Sequence, residues 1–147
     1  MIVDKNDGFF KMEGMINVNW LDSPSNLILG KSLDALWQRQ QVIADNIANS
    51  ATPGYKRKSV AFEDVLAKKM AVMSNTQSRR DMISEIKQIQ PQIDRDTTTI
   101  INADGNNVDI DYEFMQLTET TLRYQYIQRL LNDDYSRLRY AITEGRG

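Results

Sequence analysis

A cluster of carboxylate and amide side chains around Gly105 is the part of this sequence whose residue types could do chemistry. Its members are Asp104, Asn106, Asp109 and Asp111. Oxygen ligands of this kind are the ones that Ca²⁺ prefers, and an EF-hand loop places them at fixed steps before a glycine. Asn102 and Asp104 stand at suitable steps, but the first ligand position is Ile100. The spacing therefore argues against a metal site.

A structural role explains the same residues better. Gly105-Asn106 is typical of a turn, and Asp109 or Asp111 can cap the helix that follows. Glu113 then lies near the positive end of that helix. We therefore expect no metal and no other cofactor.

The basic triplet Lys56-Arg57-Lys58 is the second candidate for chemistry, because it could contact phosphate. A solvated loop edge is the simpler interpretation. The chain has no histidine and no cysteine, so it lacks the commonest general base, metal ligand and thiolate nucleophile. Its net charge of −2 gives no general attraction to nucleic acid. An enzyme is therefore the function that the composition favours least.

The elements that position these groups are two long helices, and the second is predicted over residues 109–143. Residues at alternating steps of four and three form a predicted seam: Ile110, Phe114, Leu117, Thr121, Tyr124, Gln128, Leu131, Tyr135, Leu138 and Ile142. Such spacing is typical of a coiled coil. A second stripe lies away from it: Tyr112, Met115, Leu122, Tyr126, Leu130 and Tyr140. A chain of 147 residues cannot bury a long helix on all sides, so two apolar stripes indicate assembly, with the second stripe as an intersubunit face.

The first long helix is predicted over residues 24–50, opened by Ser23 as N-cap and Pro24 at the first helical position. Its seam repeats the same spacing with Leu29, Leu33, Leu36, Gln40, Ile43 and Ile47. Pro53-Gly54 predicts a type II turn within residues 52–55, with Gly54 at positive φ. We expect a mainly α fold in which the two helices pair as an antiparallel coiled-coil hairpin.

The remaining segments carry weaker patterns. The apolar spacing from Phe62 to Met73 predicts a short helix over residues 60–73, and residues 74–107 are expected to be loosely held. Within that stretch, isoleucines hint at a helix and residues 97–101 hint at a strand. Residues 1–22 are expected to form a flexible extension, with a docking segment as the alternative. Residues 23–147 then form a single domain.

Two motifs at opposite ends carry a family resemblance. They are Asn46-Ile47-Ala48-Asn49 with Thr52-Pro53-Gly54-Tyr55, and Asn106-Asn107-Val108-Asp109. Together they resemble the signatures of bacterial flagellar axial proteins, the rod and hook group. The short length resembles the proximal rod members rather than the distal rod and hook proteins, which carry a large inserted domain. Another short rod protein stays open as an alternative, as does a soluble coiled-coil adaptor or regulator that contacts nucleic acid through the basic triplet.

The resemblance implies a structural role without catalysis. Such proteins assemble with copies of themselves and with other rod and basal-body proteins, forming a periplasmic drive shaft and export channel for motility. They leave the cell through the flagellar type III export apparatus without a cleaved signal peptide. The resemblance implies neither a nucleic-acid partner nor a small-molecule substrate.

Overall fold

The fold places a small mixed layer beside two long helices. The computed structural model describes residues 23–72, 78–99 and 103–143. Its elements are α1 (Pro24–Ala48), β1 (Lys58–Ala61), α2 (Glu63–Val72), α3 (Arg79–Gln88), β2 (Gln92–Arg95) and α4 (Ile110–Ile142). The expected mainly helical fold with two long helices near its ends is confirmed. The expectations for residues 1–22 lie outside the described residues.

The residues at the two ends of helix α1 explain where it starts and limit how far it extends. The Ser23 hydroxyl accepts a hydrogen bond from the backbone N–H of Asn26 at 3.1 Å, and Pro24 occupies the first turn, where its missing N–H costs nothing. The helix ends at Ala48, slightly before the predicted end at residue 50. Pro53 disfavours helical geometry in Thr52, so the helix cannot continue through that residue.

Helix α4 is capped by Asp109, which settles the choice between the two aspartates. The Asp109 carboxylate accepts hydrogen bonds from the backbone N–H groups of Asp111 and Tyr112 at 3.0 and 3.2 Å. The helix runs for 33 residues, which corresponds to about 50 Å. Within the described ranges, no helix combines the length and apolar character needed to cross a membrane.

The middle of the chain forms a small layer rather than a single short helix. β1 and β2 pair antiparallel with Val60 opposite Ile93, and α2 starts only at Glu63. The segment that we expected to be loosely held contains both α3 and β2. Ile86 and Ile89, at the end of α3 and just after it, are among the most buried residues described. The hint of a strand at residues 97–101 does not coincide with β2, which lies at Gln92–Arg95, and residues 100 and 101 lie outside the described residues.

The core lies where this layer meets α1. Ala35, Phe62 and Ile89 form its buried centre, with Val65 and Leu66 packed against it. On another side α1 packs along α4. There Gln40 donates a side-chain hydrogen bond to the Thr121 hydroxyl at 3.3 Å, so these two polar members of the predicted seams contact each other.

Candidate functional site: the contact between the two motifs

The two sequence motifs lie against each other, although about 50 residues separate them. The backbone N–H of Gly54 donates to the carbonyl oxygen of Asp104 at 3.0 Å, and a Cβ on Gly105 would lie 3.8 Å from the Cα of Gly54. Gly54 and Gly105 have φ of +72° and +82°, a region that other residues rarely adopt. The Tyr55 N–H closes the first turn on the Thr52 carbonyl at 3.2 Å, so Gly54 occupies the position where a type II turn requires positive φ.

Three buried asparagines hold the two motifs and the adjoining sheet together, and we call Asn46, Asn106 and Asn107 with their hydrogen-bond partners the motif clasp. The Asn106 side-chain amide group donates to three carbonyl oxygens at the end of α1, those of Asn49, Ser50 and Thr52, at 3.0, 2.9 and 2.9 Å. Its side-chain oxygen accepts from the N–H of Val108 at 2.7 Å. The three carbonyls follow the last residue of α1, Ala48, so Asn106 binds the turn through which the chain leaves the helix.

Asn107 ties the same region to the small sheet. Its side-chain oxygen accepts from the backbone N–H of Arg57 at 2.6 Å, and its amide group donates to the carbonyl of Asp96 at 3.0 Å. The N–H of Asp96 donates to the Arg57 carbonyl at 2.9 Å. One side chain therefore links the strand-entry loop before β1 to the residue just after β2.

Asn46 performs a similar task from within α1. Its amide group donates to the carbonyl of Lys58 at 2.8 Å, while its oxygen accepts from the Lys58 N–H at 3.0 Å and the Tyr55 hydroxyl at 3.2 Å. Asn46 is fully buried. A side-chain amide that pairs with both backbone groups of one residue fixes β1 against the helix in a single register.

The basic triplet takes part in these contacts. Lys56 donates to the carbonyl of Gly105 at 2.8 Å. The Arg57 guanidinium pairs with the Glu113 carboxylate at 2.6 Å and lies 4.9 Å from the ring centroid of Tyr112. Glu113 is 0% exposed, and its second oxygen has no hydrogen-bond partner among the described residues. Lys56 and Arg57 are therefore half-buried and bound to other parts of the chain, rather than forming the solvated loop edge that we expected.

Two carboxylates close in sequence to the strands of the small sheet have displaced pKa values. Hydrogen bonds from the hydroxyl and backbone N–H of Thr99, and then from Thr98, hold the pKa of Asp96 well below its ordinary value. For Glu63, partial burial acts to raise the pKa, but the hydrogen bonds and charge of Arg39 outweigh it and leave it lowered. Both carboxylates are therefore held in the ionised form that their donors require.

The polar residues of the motif clasp and its loop form hydrogen bonds within the chain. Asp104 accepts the N–H of Asn106 at 3.0 Å, and Asp109 caps α4, so both are engaged in holding the loop. Within the described ranges no group of three acidic residues has the geometry to hold a metal ion. What the clasp can do is fix the end of α1 relative to the start of α4.

The predicted seam of α4 divides into two sets in the single chain. Leu117, Tyr124, Leu131 and Leu138 are half-buried, whereas Ile110, Phe114, Tyr135 and Ile142 are exposed. The inward side of α4 is completed instead by Glu113, Thr120, Ile127 and Asp134. On α1, Leu36 and Ile43 are buried and Leu29, Leu33 and Ile47 are half-buried. The full heptad seam stays a prediction for the assembled protein.

The predicted intersubunit stripe is mostly exposed. Met115, Leu122, Tyr126 and Tyr140 are between 57% and 69% exposed, Tyr112 is 41% exposed, and Leu130 is half-buried. Leu122 lies roughly 160° around the helix from the buried Thr120, because each residue advances about 100°. Met115 and Leu122 therefore face away from α1, whereas Tyr126 lines a groove together with Leu36 of α1.

Several clasp contacts were not anticipated from the sequence. The burial of Glu113 against Arg57, and the use of Asn107 to bridge Arg57 and Asp96, join residues far apart in the chain. The burial of Asn46 could have been predicted from the sequence. Asn46 directly precedes the seam residue Ile47, so it borders the inward face of the helix. Such a position predicts a buried amide with a specific partner.

Comparison with known proteins finds relatives along most of the chain. The family of flagella basal body rod proteins matches residues 30–56. The flagellar basal body rod protein FlgB of Bacillus subtilis (strain 168) is 31% identical over 110 residues, which cover 74% of this chain and 84% of the relative. FlgB of Borrelia hermsii is 38% identical over 104 residues, covering 63% and 76%. FlgB of Escherichia coli (strain K12) is 32% identical over 108 residues, covering 65% and 75%.

Proposed function

This chain belongs to the FlgB family of flagellar basal body rod proteins, and we propose that it is a structural subunit of the basal-body rod whose α4 packs against neighbouring subunits. Its role is mechanical: it builds the rod together with other flagellar proteins. The proximal part of the rod, a drive shaft and export channel through the periplasm, is the location that the resemblance implies. No catalytic step belongs to this role.

The exposed apolar stripe of α4 is the observation that carries the proposal. Met115 and Leu122 lie on the side of the helix away from α1, more than half exposed in the single chain. Contiguous apolar surface of this kind marks protein interaction sites. A helix whose two sides are both apolar is buried on both sides in the working assembly.

The motif clasp supplies the rigidity that such an assembly needs. Asn106 binds the end of α1 to the loop that leads into α4, and Gln40 and Thr121 meet further along. These two contacts support an antiparallel pairing of the long helices as a coiled coil, with neighbouring copies completing the heptad seam. A fixed helix pair presents the same outer face in every subunit, as a helical assembly requires.

A pair of charge substitutions tests the assembly face. Replacing Met115 and Leu122 together by Asp leaves the helix content of the purified protein nearly unchanged, because both side chains are already in water. The same variant loses swimming in soft agar and no longer co-purifies with isolated basal bodies, because a charge cannot be buried against an apolar neighbour without a large penalty. Normal swimming by this variant would refute the assembly face.

Two controls separate assembly from folding. Replacing Gln125 and Asn132 by Asp adds the same charge at exposed polar positions of α4 and leaves both readouts intact. Replacing Leu131 by Asp introduces a charge on the inward side of the helix and lowers helix content in solution, as measured by circular dichroism. The three variants together distinguish an outer face from an inner one.

Export of the subunit uses the flagellar type III apparatus in this proposal, with no cleaved signal peptide. The experiment is to follow the tagged protein in cells that lack the flagellar export gate. It stays in the cytoplasm there, and delivery to the periplasm in those cells would contradict this route.

A further inference from the structure

In the part of the chain that the structure describes, a groove between α1, α2 and α4 is open to the surface. Its volume is about 490 Å³, and its apolar lining includes Ala35, Leu36, Phe62, Leu66, Met70 and Tyr126. The first three of these are buried and form the floor, while Met70 and Tyr126 stand exposed at the rim. A groove of this size holds several large apolar groups.

We propose that this groove is the docking site of the chain's own N-terminal segment, residues 1–22, in the free subunit. That segment contains apolar side chains that suit such a floor, among them Phe9, Phe10, Met15, Ile16, Val18, Trp20 and Leu21. In the docked form the Phe9-Phe10 pair lies on the groove floor. Aromatic rings bury the largest apolar area of any side chains, so they are the natural anchors.

The chain length allows this contact within one molecule. The groove begins at Ser32, eight residues after the start of α1 at Pro24, which corresponds to about 12 Å along the helix. Phe10 precedes Pro24 by 14 residues. An extended chain of that length spans up to about 46 Å, so the segment can turn back and reach the whole groove.

Thiol accessibility tests the docking, because the chain has no cysteine of its own. Met70→Cys places a single thiol on the rim of the groove, and Val72→Cys places one nearby on α2 outside the groove lining. The rate of reaction with a bulky maleimide is measured in the purified full-length protein. It is measured again after Phe9→Asp/Phe10→Asp, and after the matched control Asn17→Asp/Asn19→Asp, which adds the same charge to the same segment.

The expected result is an increase of about tenfold in the reaction rate at residue 70 when Phe9 and Phe10 are replaced, equivalent to about 1.4 kcal/mol of docking free energy. The rate at residue 72, and the rate with the control substitutions, stay unchanged. Equal rates at residue 70 with and without the substitutions overturn the proposal. A rate at residue 70 that falls with protein concentration instead identifies a second copy as the occupant and also overturns it. Because the purified subunit is used, neither outcome depends on rod assembly.

Discussion

Replacing Asn106 by Ala tests whether the motif clasp holds the two long helices together. Asn106 is fully buried and joins the end of α1 to the start of α4 through one side chain. The substitution removes two amide hydrogens and one acceptor oxygen while leaving the backbone in place. Because the substitution leaves the N-caps and the apolar faces of α1 and α4 unchanged, the loss of stability measures the contribution of the clasp.

The magnitude follows from the hydrogen bonds that are lost. Two amide hydrogens serve three carbonyl oxygens, so two donated bonds and the one accepted from the Val108 N–H disappear. Each contributes about 0.5–1.5 kcal/mol, and a buried group left without a partner adds to the loss. We therefore expect a decrease of about 2–4 kcal/mol in the free energy of unfolding.

Urea unfolding followed by circular dichroism measures this decrease. Asn132→Ala is the control, because Asn132 is exposed on α4 and its replacement changes stability by no more than about 0.5 kcal/mol. Hydrogen exchange at the Val108 amide provides a local readout, since that N–H loses its acceptor. A loss below about 0.5 kcal/mol for Asn106→Ala, equal to the control, would refute the structural role of the clasp.

Three further predictions concern other parts of the molecule. Arg57→Leu leaves the buried Glu113 carboxylate unpaired and lowers the free energy of unfolding by about 3 kcal/mol. The double variant Arg57→Leu/Glu113→Leu recovers most of that loss. Urea unfolding of the wild type, the two single variants and the double variant measures the two effects as a double-mutant cycle. Gly105→Ala costs about 1–2 kcal/mol through its φ of +82°, while Gly105→Asn costs less, and thermal unfolding compares them. Because the pKa of Glu63 is lowered in the folded protein, its ionised form stabilises the fold at pH values above the ordinary pKa of 4.5. This contribution to stability is lost as the pH falls below 4.5 and through the lowered pKa of the folded state. The stability difference between the wild type and Glu63→Gln, measured from pH 7 to pH 3, therefore shrinks toward acid; a constant difference would contradict the assignment.

Local signals made the helices predictable. The N-caps Ser23 and Asp109 act within three residues of their own position, and the alternating apolar steps of α1 and α4 repeat within seven residues. Such short-range patterns depend little on the rest of the chain. The motifs at residues 46–55 and 106–109 also lie within short stretches, so residue order is enough to indicate the family.

The small layer and the inward side of α4 were decided by packing. β1 and β2 have four residues each, too few for a distinct alternating pattern, and β1 is held between its partner strand β2 and helix α1. The inward side of α4 includes the polar residues Glu113 and Thr120, and Glu113 pairs there with the charge of Arg57. Hydrophobicity alone cannot identify such positions.

The sequence by itself determined two long amphipathic helices, their caps, the turn at Gly54 and the membership of a structural family. Only the tertiary structure decided what the motifs do, because Asn106 and Asn107 find partners in distant segments of the chain. Asn106 binds the carbonyl of Asn49, 57 residues away in sequence. Side-chain amides can pair with any backbone group in reach, and which groups come within reach is set by the packing of α1, the small sheet and α4 together.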